Sequence, residues 1–339
     1  MPSCHAPVMK RSRQLPRLSG WCTDAPLTRL LPASVFLRGE EIGPSRPFAV
    51  NTLSRVRRCI RLPGNEAGRD FVVGDLHGHR ELLERQLEQM GFNTHFDRLF
   101  SVGDLIDRGP HSLATLALIE EPWFHAVLGN HELRLLHHLG YYRSRLHAGR
   151  DFSNGGGAWI VAALDQHRRL VQRLADRVAL LPMALHVDAA VPFIITHGDL
   201  LPIGSNQTQL LRSDTISIHK AEAVTASRDN LSRAFKSPHT RRVFEQHPVH
   251  LTDEPLGSLP LTYVGHSPVR QITVHNSYVY IEQGVSRLPR PGGTSAALTL
   301  LEHERFSTWL SAAKPQPALR RQLSSQCLPP AMQAPTCAG

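Results

Sequence analysis

The middle of the chain lacks cysteine: all five cysteines lie outside residues 66–311, at Cys4, Cys22, Cys59, Cys327 and Cys337. This absence excludes a disulfide framework and a thiolate-bound zinc ion in that part of the chain. A cysteine-free body is also typical of proteins that work in a reducing compartment, so the composition favours a cytoplasmic location.

Long apolar runs and clusters of aromatic residues are missing as well. No stretch approaches the roughly 20 apolar residues that a membrane-spanning helix needs, and the N-terminal residues mix Arg and Pro with short apolar pieces. Aromatic residues make up 6% of the sequence, which is too sparse to suggest a platform for stacked bases. We therefore expect no insertion into a membrane.

Acidic residues are scarce at both ends, and this scarcity explains the formal net charge of +9. Residues 1–65 contain eleven Lys and Arg against three acids, and residues 312–339 contain three Lys and Arg and no acid. Neither end shows sustained periodicity, so we predict a disordered or loosely attached basic extension at 1–65 and a low-complexity tail at 312–339. The extension could attract RNA or an acidic membrane. A solvated tail is the favoured interpretation, and nucleic acid is not expected to bind elsewhere.

Five short blocks of polar residues lie between these ends, in a region that we predict to be one domain, 66–311. Most follow a short apolar run, as when a strand delivers its last residues to a loop. The blocks are Gly74–Gly78, Gly103–Gly109, Gly129–Glu132, Thr196–Gly198 and Gly265–His266. They supply carboxylates, an amide and several imidazoles, which are the ligand types of a two-metal phosphoester hydrolase.

The order of the predicted elements indicates an α/β fold. The first three blocks each lie in a strand–loop–helix unit, and three such units imply parallel strands whose ends meet at one edge of a sheet. Ser112 is a plausible N-cap of the second helix. Further helices are predicted at 158–166 and 168–181, followed by a β-rich meander. A four-layer α/β/β/α sandwich, with two mixed sheets and helices outside them, is the economical packing.

The spacing of the oxygen and nitrogen ligands predicts a dinuclear metal site. Asp75 and His77 are separated by one residue, so both side chains can reach the same ion. Asp104 ends the neighbouring strand, and its two carboxylate oxygens could bridge two ions about 3.5–4 Å apart. The shell of the second ion would be completed by Asn130, His197 and His266. We expect manganese, although this mixed ligand set also accepts iron or zinc.

The second and third blocks also contain residues suited to phosphoryl chemistry. His131 follows the ligand Asn130 and is placed to give a proton to a leaving alkoxide. Asp107 could hydrogen-bond this imidazole and keep it oriented, while Arg108 offers a planar guanidinium to the phosphate. Glu132 is expected to support the start of the helix rather than to bind metal. The expected reaction is in-line attack on phosphorus by a metal-activated hydroxide.

The blocks closely resemble those of the phosphoprotein phosphatase family of metal-dependent serine/threonine phosphatases, especially its compact bacterial and bacteriophage branch. The resemblance covers about residues 60–305 and includes the segment Asn154–Trp159. It implies the calcineurin-like metallophosphoesterase fold, a phosphoprotein or phosphopeptide substrate, and phosphate contacts from Arg108 and Asn130. By position it also implies one metal at Asp75, His77 and Asp104, another at Asp104, Asn130, His197 and His266, and the acid pair His131 and Asp107.

The chain departs from this family pattern at three places. Leu128 stands where the phage-type enzymes often have Arg, so one phosphate contact is expected to be missing. A second phosphate-binding Arg is expected between the last two His ligands; the context of Arg228 resembles it weakly and is preferred, although Arg212 or Arg233 could compete. Glu282 lies in a segment that usually reads Asp-Thr-Gly-Ala, which alters the wall of the cleft.

Two other functions stay open. Symmetrical dinucleoside tetraphosphate hydrolases share the blocks and the run Leu128–His131, but they typically lack the acid found here at Asp107. Nucleases and cyclic phosphodiesterases of the wider superfamily usually have a second His where this chain has Pro268. An inactive phosphate-recognising scaffold, with the basic extension as its functional part, is the alternative of a different class. The intact ligand set and acid pair argue against it.

Overall fold

The computed structural model describes residue 48 and residues 51–199, 214–257, 259–288 and 296–314. Within these residues the strands are β1 (Arg55–Arg57), β2 (Cys59–Pro63), β3 (Asp70–Val73), β4 (Arg98–Ser101), β5 (Phe124–Ala126), β6 (Ala184–Asp188), β7 (Phe193–Thr196), β8 (Thr215–Ser217), β9 (His239–Phe244), β10 (His247–Thr252), β11 (Leu261–Val264), β12 (Ile272–His275), β13 (Tyr278–Tyr280) and β14 (Leu300–Glu302). The α-helices are α1 (Arg80–Gln89), α2 (Ser112–Leu116), α3 (Asn130–His138), α4 (Trp159–Val178), α5 (Ile218–Thr225), α6 (Asp229–Ala234) and α7 (His303–Ala313). Short 3-10 helices lie at Ala117–Glu120, Ser153–Gly155 and Val285–Arg287.

A four-stranded sheet carries the first three strand–loop–helix units, in the order β14, β3, β4, β5. β3 pairs in parallel with β4, and β4 pairs in parallel with β5, as the repeated units predict. Every residue of β3 is buried, because the sheet is covered on both faces. The carboxyl ends of the three parallel strands lie at one edge, where the first three blocks begin.

The larger sheet has eight strands in the order β2, β6, β7, β11, β13, β12, β10, β9, and it mixes both pairing directions. β11 lies between β7 and β13 and is parallel to both, whereas β12 and β13 form an antiparallel pair. The expected meander is wrong in this respect, since strands that follow each other in sequence are not always neighbours in the sheet. β14 crosses to the smaller sheet and pairs with β3.

Apolar contacts join the sheets and helices into layers. Between the sheets, Phe100 of β4 packs edge-on against Phe193 of β7, with ring centroids 5.3 Å apart. On the outer face of the smaller sheet, Leu99 shares a buried cluster with residues of α1 to α4. On the outer face of the larger sheet, Leu231 of α6 packs in a cluster with Tyr280. The order helix, sheet, sheet, helix confirms the predicted four-layer α/β/β/α fold.

The folded part begins before residue 66, which corrects the predicted extent of the N-terminal extension. β1 pairs with β8, and β2 joins the larger sheet in parallel with β6. Val56 and Cys59 are buried, while the arginines beside them are exposed or half-buried. The arginines therefore hide the strand pattern in the sequence. The remainder of the predicted extension, 1–47 and 49–50, and of the predicted tail, 315–339, lies outside the described residues.

The long helix α4 joins the two helices predicted at 158–166 and 168–181. Its backbone leaves the helical region at His167, with φ −135° and ψ 35°, so the two predicted halves meet at a kink. Its apolar stripe, which includes Ile160 and Leu174, packs into the helical side of the core. In the part of the chain that the structure describes, no helix combines the length and apolar character needed to cross a membrane.

Candidate active site

The five predicted blocks meet where strands of the two sheets end. Asp75 follows β3, Asp104 follows β4, and Asn130 opens α3 after β5. His197 and His266 follow β7 and β11, which are parallel neighbours in the larger sheet. Loops at the carboxyl ends of such strands form a common cleft. The predicted metal ligands are therefore all delivered to this end of the fold.

Two groups of donor atoms lie in the cleft and share one residue. His77, Asp104 and His131 form the first group, and Asp104, His197 and His266 form the second. In each group the donor atoms lie within 4.8 Å of one another. A carboxylate common to both groups is the arrangement expected of a bridging ligand.

Backbone carbonyls orient two of the histidine rings. His77 Nδ1 lies 3.0 Å from the Ile106 carbonyl oxygen, and His197 Nδ1 lies 2.8 Å from that of Val102. An N–H on Nδ1 that donates to these oxygens leaves a lone pair on Nε2, which is the form that binds metal. Burial lowers the pKa of His77 to about 3 and also lowers the pKa of His197. Both rings are thus neutral near pH 7.

Lone pairs converge in the second donor group. His197 Nε2 lies 3.3 Å from Asp104 Oδ1 and 2.9 Å from Asn130 Oδ1. The same amide oxygen lies 2.7 Å from His266 Nδ1. The lone pair on His197 Nε2 is repelled by both oxygens at these separations, and a cation among these atoms would turn the repulsion into attraction. The donor set therefore fits a divalent metal.

Carboxylates also crowd the first donor group. Burial, followed by the charges of Glu282 and Asp104, raises the pKa of Asp75 well above its usual range. The backbone N–H of His266 donates to Asp75 at 3.1 Å, and Asp75 Oδ2 lies 3.9 Å from His77 Nε2. Anions that are buried together in this way favour a bound cation, because it offsets both desolvation and mutual repulsion.

The acid pair predicted from the second and third blocks is in contact. His131 Nδ1 lies 2.6 Å from Asp107 Oδ2, and both side chains are buried. The other carboxylate oxygen of Asp107 accepts a hydrogen bond of 2.7 Å from Trp159 Nε1. On the opposite side of the imidazole, His131 Nε2 is 3.9 Å from Asp104 Oδ2. His131 thus connects the acid pair to the first donor group.

Sequence reasoning missed the role of two residues that hold Asp107. Trp159 was recognised only as part of a family-like segment, 52 residues away in sequence. Ser112 was predicted to cap α2, and this is wrong: it is the first helical residue, and its hydroxyl accepts the backbone N–H of Asp107 at 2.9 Å. The only signal in the sequence was a serine five residues after Asp107. A serine at the start of a predicted helix more often caps that helix, so this contact was not predicted.

Three arginines approach the cleft. Arg108 Nη1 lies 3.0 Å from His77 Nε2, at the place predicted for a phosphate ligand. Arg228 precedes α6, and its charge adds to burial in lowering the pKa of both His197 and His266. Its charge therefore acts on the second donor group.

The third arginine, Arg134, lies beside the acid pair. It was not predicted as a site residue, although it stands three residues after His131 on the same face of α3. Its Nη1 atom lies 3.5 Å from Asp107 Oδ2. Burial, with a smaller contribution from the charge of Arg233, lowers the pKa of His275, which is not a predicted ligand, and Arg212 lies outside the described residues.

Several site residues have strained backbones. Positive φ angles occur at His77 (40°), Asp104 (49°), Asp107 (73°), Arg108 (71°) and His266 (62°). Such a conformation costs a non-glycine residue roughly 1–2 kcal/mol. The strain is concentrated in the loops that carry the donors, which is typical of functional sites.

Glycines in two blocks allow the loops to approach closely. A Cβ atom at Gly265 would overlap Asp75 Oδ1, and one at Gly129 would overlap the backbone nitrogen and Oδ1 of Asp104. Glu132 reinforces the second approach by accepting the backbone N–H groups of Gly129, Asp104 and Leu105 at 2.8–2.9 Å. Its predicted support of the helix start is confirmed, and it extends to the loop of Asp104.

Comparison with known proteins identifies the family. The sequence pattern of the family described as calcineurin-like phosphoesterase matches residues 71–290, which is more than half of the chain. The chain belongs to this family. The calcineurin-like phosphoesterase fold agrees with the predicted fold class, and the match includes all five blocks.

Individual relatives of this calcineurin-like phosphoesterase cover parts of it. Serine/threonine-protein phosphatase 2 of Escherichia coli (strain K12) is 35% identical over 130 residues, which are 38% of this chain and 57% of that protein. The symmetrical bis(5'-nucleosyl)-tetraphosphatase of Dechloromonas aromatica (strain RCB) is 50% identical over 68 residues, 20% of this chain and 25% of that protein. A solved protein serine/threonine phosphatase from Saccharomyces cerevisiae aligns with a TM-score of 0.42 and 13% identity, covering 66% of this chain and 70% of that one. The chain thus spans less than two thirds of the curated relatives it matches.

Proposed function

We propose that this protein is a metal-dependent hydrolase of phosphate monoesters that acts as a serine/threonine protein phosphatase on phosphoproteins. The observation that carries the proposal is the buried pair His131 and Asp107, 2.6 Å apart, beside two donor groups that share Asp104. The alkoxide of serine or threonine is a poor leaving group, so its departure requires a proton donor of this kind. The name of the Escherichia coli relative supports the same assignment.

The proposed ligands divide into two sets. Asp75, His77 and Asp104 would hold one divalent ion, and Asp104, Asn130, His197 and His266 the other; we propose manganese, with iron and zinc as alternatives. When bound, such ions supply Lewis-acid chemistry, which activates water and neutralises charge on the phosphate. The unpaired thiol of Cys59 is compatible with the cytoplasm, which we propose as the location.

The acid pair provides the proton for the leaving group. His131 donates its Nδ1–H to Asp107, so its Nε2 faces the donor groups and can carry the proton that the alkoxide takes. Asp107 stabilises the positively charged form of the ring and fixes its orientation. Trp159 and Ser112 in turn fix Asp107.

Charged and amide groups around the cleft would bind the phosphate. Arg108 and Arg228 are exposed. Arg108 lies beside His77 of the first donor group, and the charge of Arg228 acts on the second, so both are proposed to contact phosphate oxygens. Asn130 turns its oxygen towards His197 and His266, which leaves its amide N–H groups for the phosphate. Leu128 is fully buried in the core and contributes no charge. The phosphate is therefore held by fewer arginines than in the phage-type pattern.

Symmetrical hydrolysis of dinucleoside tetraphosphates is the second candidate. The 50% identity to a tetraphosphatase over 68 residues favours it. The carboxylate of Asp107, which these hydrolases typically lack, favours the phosphatase instead. Both activities use the same donor groups, so substrate comparison must separate them.

A substrate panel tests the proposal. Purified protein with added manganese should hydrolyse p-nitrophenyl phosphate and phosphoserine peptides faster than diadenosine tetraphosphate. Asp104→Asn and His131→Asn should each reduce kcat for the peptide by about 10²-fold or more. Asp97→Asn is the matched control, because Asp97 is a buried aspartate at the opposite end of β4.

The other outcomes identify the rival functions. Preferred cleavage of the tetraphosphate would establish the second candidate. Phosphopeptide binding with no hydrolysis of any substrate would indicate the inactive phosphate-recognising module. Activity that survives both Asp104→Asn and His131→Asn would rule out the mechanism.

A further inference from the structure

A cavity of about 580 Å³ opens beside the acid pair. Its wall includes His131 and Arg108 on the side of the donor groups and Arg134, His147, Arg150 and Phe152 on the side of α3 and the following loop. The volume falls within the range of sites that bind small ligands or side chains. We refer to it as the basic cavity.

Arginines give the basic cavity its charge. Its charged lining residues comprise Arg108, Arg134 and Arg150 against one acid, Asp151. The Asp151 carboxylate accepts a hydrogen bond of 2.9 Å from the backbone N–H of Ser153, which partly offsets its negative charge. The net positive charge of the lining favours an anionic ligand.

Two histidines of the wall, His138 and His147, contribute little to this charge. Burial lowers the pKa of His138, and burial followed by the charge of Arg134 lowers that of His147. Both rings are mostly neutral near pH 7. The arginines of the lining instead supply positive charge, because guanidinium groups stay charged at every physiological pH.

The wall of the basic cavity is built by specific contacts. Arg134 Nη2 donates to the carbonyl oxygen of Phe152 at 3.0 Å, and its guanidinium lies over the Phe152 ring, 5.2 Å from the centroid. His138 stacks on the same ring at 4.7 Å. Arg150 is exposed, and its backbone N–H donates to the His147 carbonyl oxygen at 3.1 Å. Its side chain can thus reach a ligand that enters from solvent.

The position of His131 indicates which part of a substrate enters here. Under the proposed function, on which this step rests, His131 gives its proton to the leaving group, so the leaving group must lie next to the imidazole. His131 lines the basic cavity. We propose that the basic cavity binds a second anionic group of the substrate, a carboxylate or a phosphate, on the leaving-group side of the scissile phosphate.

An acidic peptide is the source of this anion that agrees with the proposed phosphatase. A phosphoserine flanked by Glu or Asp would place a carboxylate near Arg150 after its phosphate has reached the donor groups. The remaining phosphates of a dinucleoside polyphosphate carry the same chemistry. Measurements with phosphoserine peptides and with diadenosine tetraphosphate separate the two sources.

The test compares two phosphoserine peptides that differ only in flanking Glu or Gln residues. Wild-type protein with manganese should show a kcat/KM about three- to fivefold higher for the Glu peptide, the size expected of one solvent-accessible ion pair. Arg150→Gln should bring the ratio close to one, and Arg150→Lys should retain most of the preference because it keeps the charge. Arg145→Gln is the control, since Arg145 is an exposed arginine of the same loop outside the cavity lining.

The outcomes separate the cavity from the catalytic proposal. If the peptides are hydrolysed but the ratio is one in the wild type, or is unchanged in Arg150→Gln, the cavity proposal is overturned and the phosphatase remains. If no substrate is hydrolysed, fluorescence anisotropy still decides: tighter binding of the Glu peptide that is lost in Arg150→Gln supports the cavity, and equal binding refutes it. Sensitivity of diadenosine tetraphosphate cleavage alone to Arg150→Gln would assign the anion to a polyphosphate.

Discussion

Asp107→Asn is the substitution that examines the proposed acid pair most directly. The two carboxylate oxygens of Asp107 accept N–H groups from His131 at 2.6 Å and Trp159 at 2.7 Å. An asparagine of the same shape has one acceptor oxygen, so one of the two donors would face an NH₂ group. The protonated imidazole would also lose its anionic partner. A hydrogen bond to a charged group contributes about 1.5–3 kcal/mol, which corresponds to a decrease in kcat of roughly ten- to 150-fold.

The leaving group makes this prediction specific. A phosphoserine peptide releases a strongly basic alkoxide that needs the proton, whereas p-nitrophenyl phosphate releases a stabilised phenolate that needs it much less. The kcat of Asp107→Asn should therefore fall by the full factor for the peptide and by only a few fold for p-nitrophenyl phosphate. Asp97→Asn controls for general effects of removing a buried carboxylate. An equal decrease for both substrates in Asp107→Asn would refute the role of the pair in proton donation.

Other contacts, two at the site and one remote from it, give three more expected outcomes. Trp159→Phe removes the N–H that Asp107 accepts at 2.7 Å, so kcat for the peptide should fall about tenfold with little change in KM; an unchanged kcat would show that the contact is dispensable. Asp104→Asn removes the carboxylate common to both donor groups and should reduce the manganese retained after dialysis, measured by elemental analysis, whereas undiminished retention would contradict a bridging role. Burial alone would raise the pKa of Asp97, but the hydrogen bonds from Arg69 outweigh it and lower this pKa. The stabilisation from the pair of Asp97 and Arg69 is therefore complete above about pH 4. It is lost as pH falls through the pKa of Asp97 in the folded state. The free energy of unfolding, measured with urea, should thus decrease less between pH 6 and pH 3 in Asp97→Asn than in the wild type. Equal decreases would contradict the pairing.

The sequence predicts the catalytic edge of the fold well because its signals are local. β3, β4 and β5 each lie in a short apolar run that ends at a polar block, and the repeated strand–loop–helix units then imply parallel strands. The two helices predicted at 158–166 and 168–181 likewise meet at the observed kink of α4 at His167. The donor groups follow once those strand ends are adjacent.

Other parts of the fold and site depend on contacts between distant residues. β2 pairs with β6 more than 120 residues later, and the arginines in and before it, Arg55, Arg57, Arg58 and Arg61, resemble those of a solvated tail. β9 is exposed at five of its six positions, so no apolar pattern reveals it. Trp159 reaches Asp107 only because α4 packs beside α3. Local periodicity cannot predict such pairings, because they form between residues that only folding brings together.

The strained loops of the site have an evolutionary consequence. Of the eight non-glycine residues with positive φ among the described residues, five are proposed to take part in catalysis or binding. A substitution to glycine at one of them would relax the backbone while removing the functional side chain. Selection for activity therefore has to maintain conformations that selection for stability alone would discard. A lineage that no longer needs the activity should lose these side chains first, and its members should tolerate heat better than their active ancestors.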